Sequence, residues 1–158
     1  MNNKDKIYFI DDEKDIRIAN QQTLELAGYD VITFESAKPV LDLLNEQYSG
    51  VIICDICLPG FSGQDFLKHA LQVDQDLVVI LITGHGDISM AVDCMRFGAY
   101  DFIEKPFAAD RLVDSVKRGL DKRQLILDNR ALRNELEIQN QLGPRIIGNT
   151  AVIKALRK

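Results

Sequence analysis

Five polar positions close four hydrophobic runs. Asp11 and Asp12 follow Ile7-Tyr8-Phe9-Ile10, Asp55 follows Val51-Ile52-Ile53-Cys54, and Thr83 follows Leu77-Val78-Val79-Ile80-Leu81-Ile82. Lys105 follows Asp101-Phe102-Ile103-Glu104 and precedes Pro106. Three carboxylates, one hydroxyl and one ammonium form a set suited to a divalent cation and a phosphoryl group. Like charges ~4 Å apart cost about 4 kcal/mol at an effective dielectric of 20, so three clustered carboxylates stay ionised only if a cation offsets them. An all-oxygen donor set fits Mg²⁺. A carboxylate that attacks phosphorus gives an acyl phosphate. Lys105 supplies a point charge for a phosphoryl oxygen, and Thr83 a hydrogen bond for another. Phosphorylation adds roughly −1.5 to −2 charge, toward which Thr83 and the loop after it can move, making a switch.

The elements that bring these groups together are short. Apolar runs of this length read as buried strands of a parallel sheet, whose ligands bind at the carboxyl ends of the strands. The first run is followed by an amphipathic stretch over residues 13–27, with Ile16, Ala19, Thr23, Leu24 and Ala27 at helical spacing and Gly28 as the stop. Val31-Ile32-Thr33-Phe34 is a second strand, and Ser36 an N-cap for a helix carrying Val40, Leu41 and Leu44. After the third strand, Pro59-Gly60 marks a turn and Ser62-Gly63-Gln64-Asp65 has the form of a capping box. The helix it opens carries Phe66, Leu67, Ala70 and Leu71; a later one carries Ala91, Cys94 and Met95 and stops at Gly98. The fifth strand spans roughly 100–104, and a last helix starts near Ala109. Five strand–helix pairs predict an α/β, doubly wound parallel sheet of order 2-1-3-4-5, flavodoxin-like, with helices on both faces. That order sets Asp11, Asp12 and Asp55 side by side, with Thr83 and Lys105 arriving from one flank.

The bulk composition narrows the function classes. The 158 residues suffice for one domain with an appendage, and 46% hydrophobic with 27% charged residues is ordinary for a globular protein. A net charge of −5, with no basic patch outside the tail, argues against direct nucleic-acid binding. Cys54, Cys57 and Cys94 are an odd set without a secretory signal, which argues against a disulfide framework. No apolar run approaches the ~20 residues of a membrane span, so a cytoplasmic location is expected. From 122 to 142 the chain is polar and helix-favouring. Leu125, Leu132 and Gln139 fall seven apart, and Asn129 and Leu136 form an offset series. That pattern fits a two-stranded coiled coil with a polar Asn in its seam, or one extended helix packed on its own domain. Gly143-Pro144 is expected to break this helix, and residues 145–158 begin a segment that the chain does not finish.

Ile10-Asp11-Asp12-Glu13, Asp55-Ile56-Cys57-Leu58-Pro59-Gly60, Ile82-Thr83-Gly84 and Lys105-Pro106-Phe107 resemble, in order, the motifs of two-component response regulator receiver domains. The resemblance covers residues 6 to about 121. It implies that Asp55 is the phosphoacceptor, that Asp12 and Asp55 ligate Mg²⁺ directly, and that Asp11 acts mainly through water. The backbone carbonyl of Cys57 would be the third protein ligand. Thr83 and Phe102 match the family's switch positions, and Lys105 its lysine, whose bond to Pro106 is expected cis. Phe102 replaces a commoner tyrosine, which excludes a hydroxyl contact by that ring. The stretch Thr83-Gly84-His85-Gly86-Asp87, followed by Met90-Ala91-Val92, resembles NtrC-like regulators, particularly dicarboxylate-transport regulators. The stretch Ile146-Ile147-Gly148-Asn149 through Leu156-Arg157 resembles the entry to a sigma-54-activating AAA+ ATPase domain, which would begin over 143–158. The resemblance implies a receiver over 1–121, a helical linker over 122–142, a sensor histidine kinase as phosphodonor, and a homodimer joined through the linker. Enzymatic turnover is not expected of this chain, because no phosphate loop follows before Lys158.

Plainer readings stand beside these. Asp11 and Asp12 taken alone would end a strand and cap a helix, and Phe102 would be a core aromatic. Cys54-Asp55-Ile56-Cys57 spells a C-x-x-C, but positions three apart on a strand face opposite ways. His85 is expected to be incidental and His69 to be a solvated helix residue. A phosphohydrolase of the haloacid dehalogenase type would use the same Asp, Thr, Lys and Mg²⁺ chemistry. It would carry an Asp-x-Asp on strand one, where this chain has Asp11-Asp12-Glu13.

Overall fold

The structure, a computed structural model, describes residues 6–84 and 87–147, with side chains through 139. Five strands, β1 (Lys6–Ile10), β2 (Asp30–Phe34), β3 (Val51–Asp55), β4 (Val79–Thr83) and β5 (Asp101–Glu104), alternate with five helices. The helices are α1 (Lys14–Leu26), α2 (Lys38–Leu41), α3 (Gly63–Val73), α4 (Ile88–Phe97) and α5 (Ala109–Ile147). All strand pairs are parallel, in the order β2-β1-β3-β4-β5, as the alternation predicts.

Every residue of β3 and β4 is buried, which is why their sequences lack polar alternation. Successive side chains along a strand point to opposite faces, so the core forms two layers. Ile7, Phe9, Ile53 and Ile80 pack with Leu24 of α1 and with Leu112, Val116 and Leu120 of α5. Tyr8, Ile10, Ile52 and Leu81 pack with Val40 of α2, Phe66 and Leu67 of α3, and Cys94 of α4. Each fully buried side chain of this size contributes roughly 1.5–3 kcal/mol relative to exposure.

Some local expectations change. Leu24 is the one buried residue of α1; Ala19 and Ala27 face solvent, because the inner stripe runs through Ile16, Asn20 and Leu24. Ser36 caps nothing among the described hydrogen bonds. Helix α2 starts one residue later, behind Ala37, and lasts four residues with Pro39 in its first turn. The capping box at Ser62 forms in full: Asp65 N donates to Ser62 Oγ at 3.1 Å, and Ser62 N to Asp65 Oδ2 at 3.2 Å. Gly98 ends α4 at φ 140°, a value that favours glycine.

Gly143-Pro144 does not break the last helix, since α5 continues to Ile147. Proline's fixed φ near −65° is a helical value; it removes one donor and crowds one carbonyl without forcing the chain out of the helix. The chain divides into two compact units, Met1–Gln124 and Leu125–Lys158. Near the end of the first unit, Arg123 is completely buried. Its Nε donates to Tyr48 O at 2.7 Å, and its Nη2 to Glu46 O at 3.1 Å and Asp74 Oδ2 at 2.9 Å. In the second unit, Leu125, Leu132, Leu136 and Ile138 are exposed. Among the described residues no helix is long and apolar enough to cross a membrane.

Candidate functional site

The register of the sheet assembles the site. Ile10 pairs with Cys54, so Asp11 and Asp55 leave adjacent strands at the same level. Asp55 pairs with Ile82, one residue before Thr83, and Thr83 pairs with Glu104, one residue before Lys105. Backbone bonds carry the order past the strand ends: Asp11 N donates to Phe34 O at 3.0 Å, Ile56 N to Ile82 O at 2.9 Å, and Lys105 N to Thr83 O at 2.8 Å. The Lys105–Pro106 bond is cis, as the resemblance implied.

Carboxylate oxygens of Asp11, Asp12 and Asp55 lie within 4.8 Å of one another. Asp11 is fully buried, Asp55 nearly so, and Asp12 exposed. Each buried carboxylate accepts a main-chain hydrogen bond two residues ahead, Asp11 Oδ1 from Glu13 N and Asp55 Oδ1 from Cys57 N, both at 2.9 Å. Lys105 Nζ donates to Asp55 Oδ2 at 3.2 Å and lies 3.8 Å from Asp11 Oδ2. The Arg17 guanidinium donates to the Asp11 carbonyl at 2.8 Å, which ties α1 to the end of β1.

Electrostatics at this edge are unbalanced. Burial, then the charge of Asp55, pushes the Asp11 carboxyl up to about 6, despite the lowering effects of the Glu13 N–H and Lys105. Burial alone would lower the Lys105 pKa, but the Asp55 carboxylate outweighs it and the ammonium is held above its ordinary value. Asp11 Oδ2 is buried and accepts no hydrogen bond. A buried carboxylate oxygen without a donor, beside two more carboxylates, is a donor set that a hard cation satisfies. The residues therefore fit a divalent ion of the Mg²⁺ kind.

Thr83 is fully buried, and its hydroxyl donates to Gly84 O at 3.3 Å. Phe102, paired with Leu81, sits one diagonal step from Thr83 on the same sheet face and is half-buried against the layer of α2, α3 and α4. Cys54 is buried within β3 while Cys57 is exposed, so the C-x-x-C is not a paired motif. His69 is exposed, with Nδ1 2.9 Å from Asp65 O; His85 lies outside the described residues.

Three contributors are not legible as motifs. Gly63 lets the start of α3 pass beneath the end of β3: a Cβ there would lie 2.5 Å from Asp55 O and 2.6 Å from Ile56 Cα. The Cys57 thiol donates to Asp87 Oδ2 at 3.1 Å. Arg17 reaches the Asp11 carbonyl from an exposed-looking helical position. All three depend on loop paths that no spacing rule encodes.

A parallel sheet of this order, with an acid pair after its first strand, a lone carboxylate after its third and a lysine after its fifth, is the arrangement of a receiver domain. The model of the response regulator receiver domain matches residues 7–117, and this chain belongs to that family. It is 49% identical over 152 residues to the C4-dicarboxylate transport transcriptional regulatory protein DctD of Rhizobium meliloti, covering 96% of this chain and 33% of that protein. The DctD protein of Pseudomonas aeruginosa is 45% identical over 153 residues, covering 97% of this chain and 33% of its own. Among solved structures, the receiver domain of NtrX from Brucella abortus superimposes with a TM-score of 0.68 at 38% identity, covering 73% of this chain and 98% of that one. The chain spans about a third of the length of the DctD relatives.

Proposed function

We propose that this chain is the signal-receiving part of an NtrC-like, sigma-54-dependent transcriptional activator of the dicarboxylate-transport type, and that Asp55 accepts a phosphoryl group from a sensor histidine kinase. One observation carries the reading: Asp55, alone at the end of β3, has Lys105 Nζ 3.2 Å away and Asp11 and Asp12 within metal-sharing distance. In the transfer, an Asp55 carboxylate oxygen forms the O–P bond as the P–N bond of a phosphohistidine breaks, and the departing imidazole takes up a proton. Asp12, Asp55 and the Cys57 carbonyl would hold Mg²⁺ directly and Asp11 mainly through water, and the ion would neutralise charge developing on the phosphoryl oxygens. Lys105, now on Asp55 Oδ2, is placed to pair with a phosphoryl oxygen. Thr83 exchanges its bond to Gly84 O for one to the phosphoryl group, and Phe102 changes burial in response.

The acid pair on the first strand and the acceptor on the third disfavour a phosphohydrolase of the haloacid dehalogenase type, so no substrate is turned over for its own sake. Residues 1–121 form the receiver and 122–142 a linker through which two copies pair. Residues 143–158 begin an ATPase domain; of these, 148–158 lie outside the described residues. The exposed Leu125, Leu132 and Leu136 support pairing in the linker. In the resembled subgroup the unphosphorylated dimer often restrains the ATPase domains, and the same control is proposed here. The protein acts in the cytoplasm, and this part of it makes no direct contact with nucleic acid.

Incubation with a small-molecule phosphodonor and Mg²⁺ tests the assignment. The parent should gain one acid-stable, base-labile phosphoryl group, and Asp55→Asn none. Full labelling of Asp55→Asn would move the nucleophile elsewhere.

A further inference from the structure

Two side chains outside the reacting set are bonded to each other across the mouth of the site. Asp87 occupies the N-cap position of α4, where a short acidic residue ordinarily accepts a hydrogen bond from the first turn. Its side chain makes no such bond. Asp87 Oδ2 instead accepts from Cys57 Sγ at 3.1 Å. Asp87 N donates to Gly84 O at 3.2 Å, and the same carbonyl accepts the Thr83 hydroxyl at 3.3 Å. At the other end, Cys57 N donates to Asp55 Oδ1 at 2.9 Å. A continuous hydrogen-bonded path therefore runs from the acceptor through Cys57, Asp87 and Gly84 to Thr83.

The Thr83 hydroxyl has a single proton to donate. While it goes to Gly84 O, none is available for a group on Asp55. We propose that the Cys57–Asp87 contact is a latch that holds Asp87 against the Gly84 carbonyl, and with it the Thr83 hydroxyl, in the resting arrangement. Cys57 and Asp87 are thus positioning residues that set how readily the site is engaged. A phosphoryl group on Asp55 adds negative charge beside Cys57, whose thiol holds the Asp87 carboxylate, and like-charge repulsion favours opening the contact. Release also frees Asp87 to cap α4, which offsets part of the bond that is lost. The latch rests on the reading of Asp55 as the phosphoacceptor.

Binding of beryllofluoride with Mg²⁺, followed by fluorine NMR, measures the effect. Cys57→Ala and Asp87→Ala should each tighten apparent affinity by about two- to ten-fold, because the net contribution of one hydrogen bond no longer opposes the engaged arrangement. The double variant should tighten no further than either single one, since both remove the same contact. Cys57→Ser, whose hydroxyl can still donate to Asp87, should restore most of the difference. Unchanged affinity in both alanine variants, or additive gains, would overturn the latch while leaving the acceptor assignment in place. A parent that binds no beryllofluoride would overturn the acceptor assignment and the latch with it. A second readout needs no phosphate chemistry. Cys57 is the exposed cysteine among Cys54, Cys57 and Cys94, and maleimide should modify it several-fold faster in Asp87→Ala than in the parent. Equal rates would show that the thiol and carboxylate are not bonded in solution, which also overturns the latch.

Discussion

At the scale of residues, Asp11 dominates the electrostatics of the site. Its ordinary value near 3.8 rises to about 6, chiefly through burial and then through Asp55. A folded-state value above the unfolded one means that the fold binds this proton more tightly than the open chain does. The associated stability is present below about pH 4 and is lost as pH rises through about 6 in the metal-free protein. Asp11→Asn should therefore stabilise the metal-free fold near neutral pH, by an amount of order 1–3 kcal/mol for a shift of this size. Mg²⁺ should stabilise the parent more than the variant. Urea midpoints near pH 4 and pH 7, with and without Mg²⁺, check both points; an Asn variant less stable than the parent at neutral pH would contradict them. The acidic cluster was legible in the sequence because each of its members closes an apolar run, so strand ends and chemistry coincide. Gly63 and the Cys57–Asp87 bond were not, because they arise from how two loops approach, and neither changes the hydrophobic pattern.

At the scale of elements, five strands and the faces of α3 and α4 followed from apolar spacing, since burial on both sides of a parallel sheet leaves few alternatives. Short α2 did not, because Pro39 and the residues after it support a single turn where the apolar spacing suggested more. Arg123 was also hidden, reading as one more charge in a polar helix. Its guanidinium instead fastens α5 to Asp74, which follows α3, and to the carbonyls of Glu46 and Tyr48, which precede β3. Removing one partner of a buried ion pair typically costs 3–5 kcal/mol, because the remaining charge keeps its desolvation penalty. Arg123→Ala should lower the unfolding free energy by about that amount, whereas truncating an exposed linker residue such as Leu132 should change it by less than about 0.5 kcal/mol in the isolated chain. Equal effects in urea titrations would remove Arg123 from its anchoring role.

At the scale of the whole molecule, the proposed switch lies in association. Moving a two-state equilibrium from 1:99 to 99:1 takes about 5.5 kcal/mol, which a few charge-assisted bonds from Thr83, Lys105 and main-chain donors supply. The heptad spacing of Leu125, Asn129, Leu132 and Leu136 is the reason the proposed contact is assigned to the linker. Deleting residues 125–158, which retains Arg123, should give a monomer in sedimentation; a surviving dimer would shift the contact to the receiver itself. The spacing shows a stripe suited to a second helix, but it carries no information on which phosphorylation state favours pairing. That depends on the relative energies of two assemblies.

The most direct test of the central claim, that a phosphoryl group on Asp55 is read out as a change of assembly, is the solution mass and shape of the full chain by sedimentation, with Mg²⁺ and with or without beryllofluoride. The parent should change its assembly when beryllofluoride is added, and Asp55→Asn should not. An unchanged sedimentation profile in a parent saturated with beryllofluoride would contradict it.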